Sequence, residues 1–189
     1  MYENPAAVRS KNSIEAALLS LMREQPYRAI TIRAITERAS LSRQTFYLHF
    51  SDKDAVLSRH MLRVFEGIMQ RVRVQRVETV FELVQTYTEI VAENAAFFRI
   101  LADNGLTGLV CRVYREHLDA MPPVLECQRE NRSEAERRYC NAFWVAAFVE
   151  VYALWLAEDM QTPRAEIERT ITDIMLGVYF RPWDGEQNT

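Results

Sequence analysis

The stretch TIRAITERASLSRQTFYLHFSDK, residues 31–53, decides the fold. Ile32, Ile35 and Ala39 recur at spacings of three and four, which places them on one face of a short helix. Thr31 stands before that helix as an N-cap, where its hydroxyl and the nearby N–H groups can also bind a phosphate. Ala39-Ser40-Leu41 interrupts the pattern, and Ser42 then caps a second helix. In this second helix Phe46 and Phe50 are four apart and face inward. Arg43, Gln44 and Tyr47 fall on a different, outward face. A cation, an amide and a phenol on a short helix can meet base edges and phosphates in a major groove. Ser51 reads as the cap of a further helix, with Asp52 and Asp54 in its first turn, where the helix dipole favours acids.

Upstream, Ile14, Ala17, Leu18 and Leu21 give the 3.6-residue period of a helix running from residue 12 or 13 to Glu24, closed by Pro26. Residues 1–10 read as a loose arm. Arg9 and Lys11 either touch a phosphate backbone or are solvated terminal charges. Downstream, Leu57, Met61, Val64, Phe65 and Ile68 extend the helix begun near Ser51 to about Arg73, long enough to join two domains. More helix follows over 79–93. A shorter one passes through Phe97, Phe98, Ile100 and Leu101 and stops at Asn104-Gly105. The next spans 107–120 and breaks at Met121-Pro122-Pro123, and residues 124–132 read as a loop or a frayed turn. Ser133 and Glu136 have capping-box spacing and open a helix to about Glu158. Its apolar residues cover more than one face, so it needs burial on several sides, and a partner subunit is a natural supplier. Thr162-Pro163 starts a last helix striped by Ile167, Ile171, Ile174, Met175 and Val178, before a polar tail from Arg181. No strand, internal repeat or low-complexity segment emerges.

At 189 residues and 49% hydrophobic composition, the chain can fill one sizeable core or two modest helical domains. A net charge of −3 argues against indiscriminate coating of nucleic acid, but residues 1–60 carry nine Lys/Arg against six Asp/Glu. The N-terminal third is therefore the part suited to a polyanion. Met1 to Asn12 lacks the apolar core of a signal peptide. No apolar run approaches a membrane span, since Phe143–Ala157 is interrupted by Glu150 and has the length of a buried helix. Cys111, Cys127 and Cys140 are odd in number without C-x-x-C spacing, which suits a reduced, cytoplasmic setting. They are incidental thiols or redox sensors. His60 and His117 form no metal-ligand cluster, and neither a Gly-rich phosphate loop nor a Ser/His/Asp arrangement appears. The expectation is a protein that is not an enzyme and has no cofactor.

The run Ser42-Arg-Gln-Thr-Phe-Tyr-Leu-His-Phe-Ser-Asp-Lys53 carries the pattern S-x-x-T-F-Y-x-H-F-x-x-K. With Ile14-x2-Ala17 and the T-I-R-A-I-T-E-R-A run of 31–39, it resembles the N-terminal domain of the TetR/AcrR family of bacterial transcriptional regulators over the first third of the chain. Asn94-x2-Phe97-Phe98 and Tyr152-x2-Trp155-Leu156 are also similar to a branch near dihydroxyacetone-kinase regulators. The resemblance implies an all-α protein, with a three-helix helix-turn-helix domain over residues 1–55. A helical bundle for effector binding and dimerisation would then occupy 56–189. It implies a cytoplasmic homodimeric repressor on a near-palindromic stretch of double-stranded DNA, answering to a small-molecule effector. Ser42, Thr45, Tyr47, His49 and Lys53 match phosphate-holding positions, to which the residue reading adds Thr31. Arg43, Gln44 and sometimes Tyr47 match positions that reach bases. Phe97, Phe98, Met121, Trp144 and Phe148 are the implied pocket residues. Phe143, Ala147, Val151, Trp155, Ile171, Ile174 and Val178 are the implied dimer interface.

Three departures bear on specificity. Ser40 replaces the usual turn glycine, at a cost of roughly 1 kcal/mol if that residue is left-handed. Leu48 stands where aromatic or polar residues are common, so that phosphate contact is lost. Gln44 replaces a small residue, which implies a different base preference. The alternative reading keeps the fold but gives it a protein partner instead of DNA; the intact outward set from Arg43 to Lys53 argues against it.

Overall fold

The computed structural model describes residues 4–117 and 132–180. Its first helix, α1 (Pro5–Met22), begins where the loose arm was expected. The Asn4 side chain accepts the Ala6 N–H at 2.9 Å, and Pro5 occupies the first helical position, where a missing N–H costs nothing. This start signal lies in a polar stretch with no hydrophobic period. A short 3-10 turn (Tyr27–Ala29) leads to α2 (Ile32–Ala39) and α3 (Arg43–His49). Thr31 caps α2 through the Ala34 N–H, and Ser42 caps α3 through the Thr45 N–H. Between them Ser40 is left-handed, with φ 55° and ψ 42°. The expected strain is present, and the turn it permits aims α3 away from α2.

The next cap corrects the sequence reading. Asp52, not Ser51, accepts the Ala55 N–H at 2.8 Å, and Ser51 instead donates its hydroxyl to Asp52. A carboxylate outcompetes a hydroxyl at the positive end of the helix dipole. From there α4 (Lys53–Val74) runs 22 residues, roughly 33 Å at 1.5 Å per residue. It serves both halves of the molecule. Val56, Leu57 and Met61 join Ile14, Leu18, Ile35, Phe46 and Phe50 in the core around α1–α3, and Phe65, Ile68 and Val72 continue it towards the later helices.

Those later helices are α5 (Val80–Glu93), α6 (Ala95–Asp103), α7 (Thr107–His117), α8 (Glu134–Ala157) and α9 (Arg164–Met175). Thr79/Glu82 and Ser133/Glu136 form full capping boxes on α5 and α8. Gly105 ends α6 with φ 67°, a left-handed stop that glycine adopts without penalty. Pro163 stands one residue before the last helix rather than inside it. Among the described residues there are nine α-helices and no strand.

Two ion-pair clusters join helices distant in sequence. Buried Glu15 of α1 meets Arg59 at 2.5 Å, His60 at 2.6 Å and also Arg63, all on α4. Arg164 of α9 meets Glu89 of α5 at 2.9 Å and buried Glu168 at 2.6 Å.

Helix α8 satisfies the length and hydropathy of a membrane span, contrary to the expectation that no run would, yet only 22% of its apolar window is buried within the chain. One face packs inward: Tyr152, Trp155 and Leu156 meet Val84 and Val91 of α5 and Ile171 of α9. Trp155 and Ile171 are each 4% exposed, so they are core residues and not surface residues available to a partner. The opposite face carries exposed Tyr139, Phe143 and Leu154, beside half-buried Ala147 and Val151. Exposed Leu176, Val178 and Tyr179 and half-buried Ile174 follow at the end of the described chain.

Candidate nucleic-acid interface and ligand cavity

Helix α3 has one buried face and one exposed face. Phe46 and Phe50 are buried, and their rings lie 5.9 Å apart. That anchoring leaves Arg43, Gln44, Tyr47 and Leu48 exposed, with Tyr47 52% and Leu48 77% exposed. On a helical wheel Gln44 and Leu48 sit at the centre of this outward face, with Arg43 and Tyr47 to one side. Arg43 has no ion pair among the described residues. By contrast Arg38 is bound to Glu24 at 2.7 Å and Arg33 to Glu37 at 2.7 Å. Thr31 and Ser42 are exposed at their helix starts, and the Thr45 hydroxyl lies 2.9 Å from that of Ser42. His49 is half-buried at the far end of α3.

Lys53 differs from a free phosphate ligand. Its ammonium donates to the Tyr27 carbonyl at 2.7 Å and the Ile30 carbonyl at 3.0 Å, and lies 4.3 Å from the centre of the Tyr27 ring. It fastens the start of α4 to the turn before α2, with one N–H left over. Sequence spacing gives no sign of this internal role.

Tyr27 is a junction that the sequence reading missed. Its hydroxyl donates to Asp54 at 2.5 Å, and its backbone N–H donates to the Asn104 side chain at 2.6 Å. Burial, then the Asp54 hydrogen bond and charge, push the phenol far above its ordinary range, so it remains a donor. Asn104 ends α6 and donates its amide to the Ile100 carbonyl. The last turn of α6 is therefore hydrogen-bonded directly to the frame of α2–α4.

On its other face α6 borders a cavity of about 80 Å³ lined by residues of α4–α8. Phe98, Leu101 and Ala102 of α6 contribute to it, as do Tyr87, Tyr114, Trp144, Phe148 and Tyr152. Phe98, Trp144 and Phe148 were expected there. Phe97 is not: its ring packs 4.3 Å from His60 and belongs to the contact between α6 and α4. Met121 lies outside the described residues. Tyr87, Tyr114 and Asn141 were not foreseen, because their helices show only apolar periods and not which face meets an open space. Burial also pushes the Cys111 thiol up. Cys127 lies outside the described residues. Among those residues, no group of three His, Cys, Asp or Glu is arranged to hold a metal ion.

Comparison with known proteins covers both halves of the chain. Residues 14–59 match the family model for bacterial regulatory proteins of the tetR family. Residues 78–177 match that for a transcriptional regulator C-terminal region. A search of curated proteins gave no match. Among solved structures, the chain is similar to a TetR transcriptional regulator from Streptococcus agalactiae 2603V, with TM-score 0.66 and 18% identity over 90% of this chain and 95% of that one. It is also similar to the dihydroxyacetone kinase operon activator DhaS, with TM-score 0.55 and 17% identity over 89% of this chain and 95% of the other. The Thermus thermophilus FadR, a transcriptional repressor in complex with lauroyl-CoA, gives TM-score 0.55 and 16% identity over 95% and 100% of the respective chains. At these identities the likeness is one of fold.

Proposed function

From the premise that the chain belongs to the TetR family of bacterial transcriptional regulators, we propose that it is a ligand-responsive repressor acting as a homodimer on a near-palindromic operator. The observation that carries this reading is the exposed Arg43, Gln44 and Tyr47 face over a buried Phe46–Phe50 anchor. Arg43 forks onto guanine O6 and N7, and Gln44 pairs with adenine N6 and N7. Thr31, Ser42, Thr45, Tyr47 and His49 hold the phosphate backbone on either side of α3. Lys53 positions the frame and offers its remaining N–H to a phosphate. Residues 1–55 form the DNA-binding unit, and 56–189 the effector and dimer unit.

Pairing follows from the exposed apolar face of α8. Tyr139, Phe143 and Leu154, with Ala147, Val151, Ile174 and Val178 nearby, meet their counterparts in a second copy across a two-fold axis. That axis sets two α3 helices at the spacing of successive major grooves.

Effector coupling runs through α6. An effector larger than the resting cavity displaces Phe98, Leu101 and Ala102, and with them Asn104. The Asn104–Tyr27 hydrogen bond passes this shift to the frame of α2–α4. The effector thereby favours a spacing of recognition helices that no longer fits both half-sites. The lauroyl-CoA complex of the fold relative from Thermus thermophilus supports the idea that this architecture accepts a small molecule.

The test is fluorescence anisotropy on DNA flanking the protein's own gene, with Arg43→Ala and Tyr47→Ala variants, at several salt concentrations. Specific binding should weaken steeply with salt and in both variants. Wild-type behaviour of both variants, or no preference for the flanking DNA over random duplex, would instead favour a regulator that acts through a protein partner.

A further inference from the structure

We infer that the cavity is built for an uncharged, largely apolar molecule bearing a hydrogen-bond acceptor, such as a ketone or ester carbonyl, held by the hydroxyls of Tyr87 and Tyr114. This deepens the reading of the cavity as the effector site and rests on it.

Three tyrosines line the cavity, and they are not equivalent. The Tyr152 hydroxyl is committed to the fold, 2.9 Å from the Thr88 hydroxyl and 3.4 Å from the Val84 carbonyl. Tyr87 and Tyr114 make ring contacts, with Phe148 at 5.3 Å and Phe65 at 5.1 Å, but their hydroxyls have no hydrogen-bond partner among the described residues. Tyr114 is only 8% exposed, yet neither hydroxyl is among the fully buried polar atoms without a partner, so both remain accessible beside the cavity they line. Phenylalanine would make the same ring contacts, so each hydroxyl adds a donor that the fold itself does not use. Both hydroxyls are thus free to donate to a molecule in the cavity that their side chains line.

The remaining lining sets the ligand's charge. Among the described residues it contains no Lys, Arg, His, Asp or Glu, and its other polar side chains are Thr107 and Asn141. A carboxylate, a phosphate or an ammonium placed here would lose its water and meet no counter-ion. Burial pushes both phenols above their ordinary range, so each keeps its proton and donates at any working pH. A donor pair in an apolar wall selects an acceptor on an apolar body. At about 80 Å³ the resting space is roughly half the size of an apolar cavity known to admit benzene, so the ligand is small or widens the space as it enters.

The experiment is isothermal titration calorimetry on the full chain without DNA. Its probes are 2-heptanone, its acceptor-free isostere 2-methylheptane, heptanoate and heptyltrimethylammonium. The ketone should bind most tightly. Tyr87→Phe and Tyr114→Phe should each weaken ketone binding about 5- to 30-fold and leave 2-methylheptane binding within twofold. Both variants should melt no lower than wild type, because no protein hydrogen bond is removed. Heptanoate or the ammonium binding as tightly as the ketone, equal ketone binding in the variants, or no binding of the ketone would each overturn the inference. Ketone binding with the expected variant effects, but no release of DNA when the ketone is added in the anisotropy assay, would uphold the ligand class and overturn the effector role.

Discussion

Glu15→Ala removes the carboxylate that pairs with three basic groups of α4, Arg59, His60 and Arg63. Glu15 is 4% exposed at its side chain, while Arg59 and Arg63 retain 24% and 45% exposure. Breaking a fully buried ion pair from one side costs about 3–5 kcal/mol, since the other charge is stranded. Here water reaches both arginines and screens them, which brings the expected cost to about 2 kcal/mol. For a chain of this size each kcal/mol lowers Tm by about 2–4 °C, so the variant should melt about 4–8 °C below wild type at pH 7. Calorimetric melting measures this directly. Acid titration provides a second, independent reading. Burial alone would raise the Glu15 carboxyl, but the His60 hydrogen bond and the charges of His60, Arg63 and Arg59 together hold it below its ordinary 4.5. A lowered pKa in the folded state stabilises the protein above the unfolded value and ceases to do so as pH falls through the folded one. The stability gap between wild type and Glu15→Gln should therefore be full above pH 4.5 and close below it. A Glu15→Ala melting point within about 1 °C of wild type, or a Glu15→Gln gap unchanged down to pH 3, would refute the assignment of this cluster as the α1–α4 clamp.

Asn104→Ala strands the Tyr27 N–H and cuts the link from α6; ligand-free DNA affinity should change little, while effector-induced release should weaken about 5-fold or more in a DNA competition assay. Leu154→Glu together with Phe143→Asp puts charge on the exposed face of α8 and should give monomers in sedimentation velocity while helical content by circular dichroism is retained. Gln44→Ala should lose about 1–3 kcal/mol of discrimination at one adenine position in a binding-site selection, with the rest of the site preference intact.

Much of the α2–α3 unit is legible because its signals are local. A cap, a four-residue aromatic pair and a turn residue suffice to set α3 and its two faces, and Ser40 took the left-handed conformation that the replaced glycine implied. The start of α1 was missed because Asn4-Pro5 is a capping signal without an apolar period to draw attention to it. Trp155 sits on α8, which is apolar nearly all round, and Ile171 on the apolar stripe of α9, so both read as candidates for a dimer face. Periodicity places residues on faces without saying which face the chain itself covers. The Tyr27–Asn104 bond and the unpartnered hydroxyls of Tyr87 and Tyr114 depend on residues tens of positions apart, and only tertiary packing brings them into view.

Hydroxyl-radical footprinting of the protein on DNA flanking its own gene tests the central claim most directly. Two α3 helices on a two-fold dimer should protect two half-sites centred about one helical turn, roughly 10 base pairs, apart or a multiple of it. Arg43→Ala should erase both protections together. A single unpaired footprint, protection without sequence preference, or an Arg43→Ala footprint identical to wild type would contradict it.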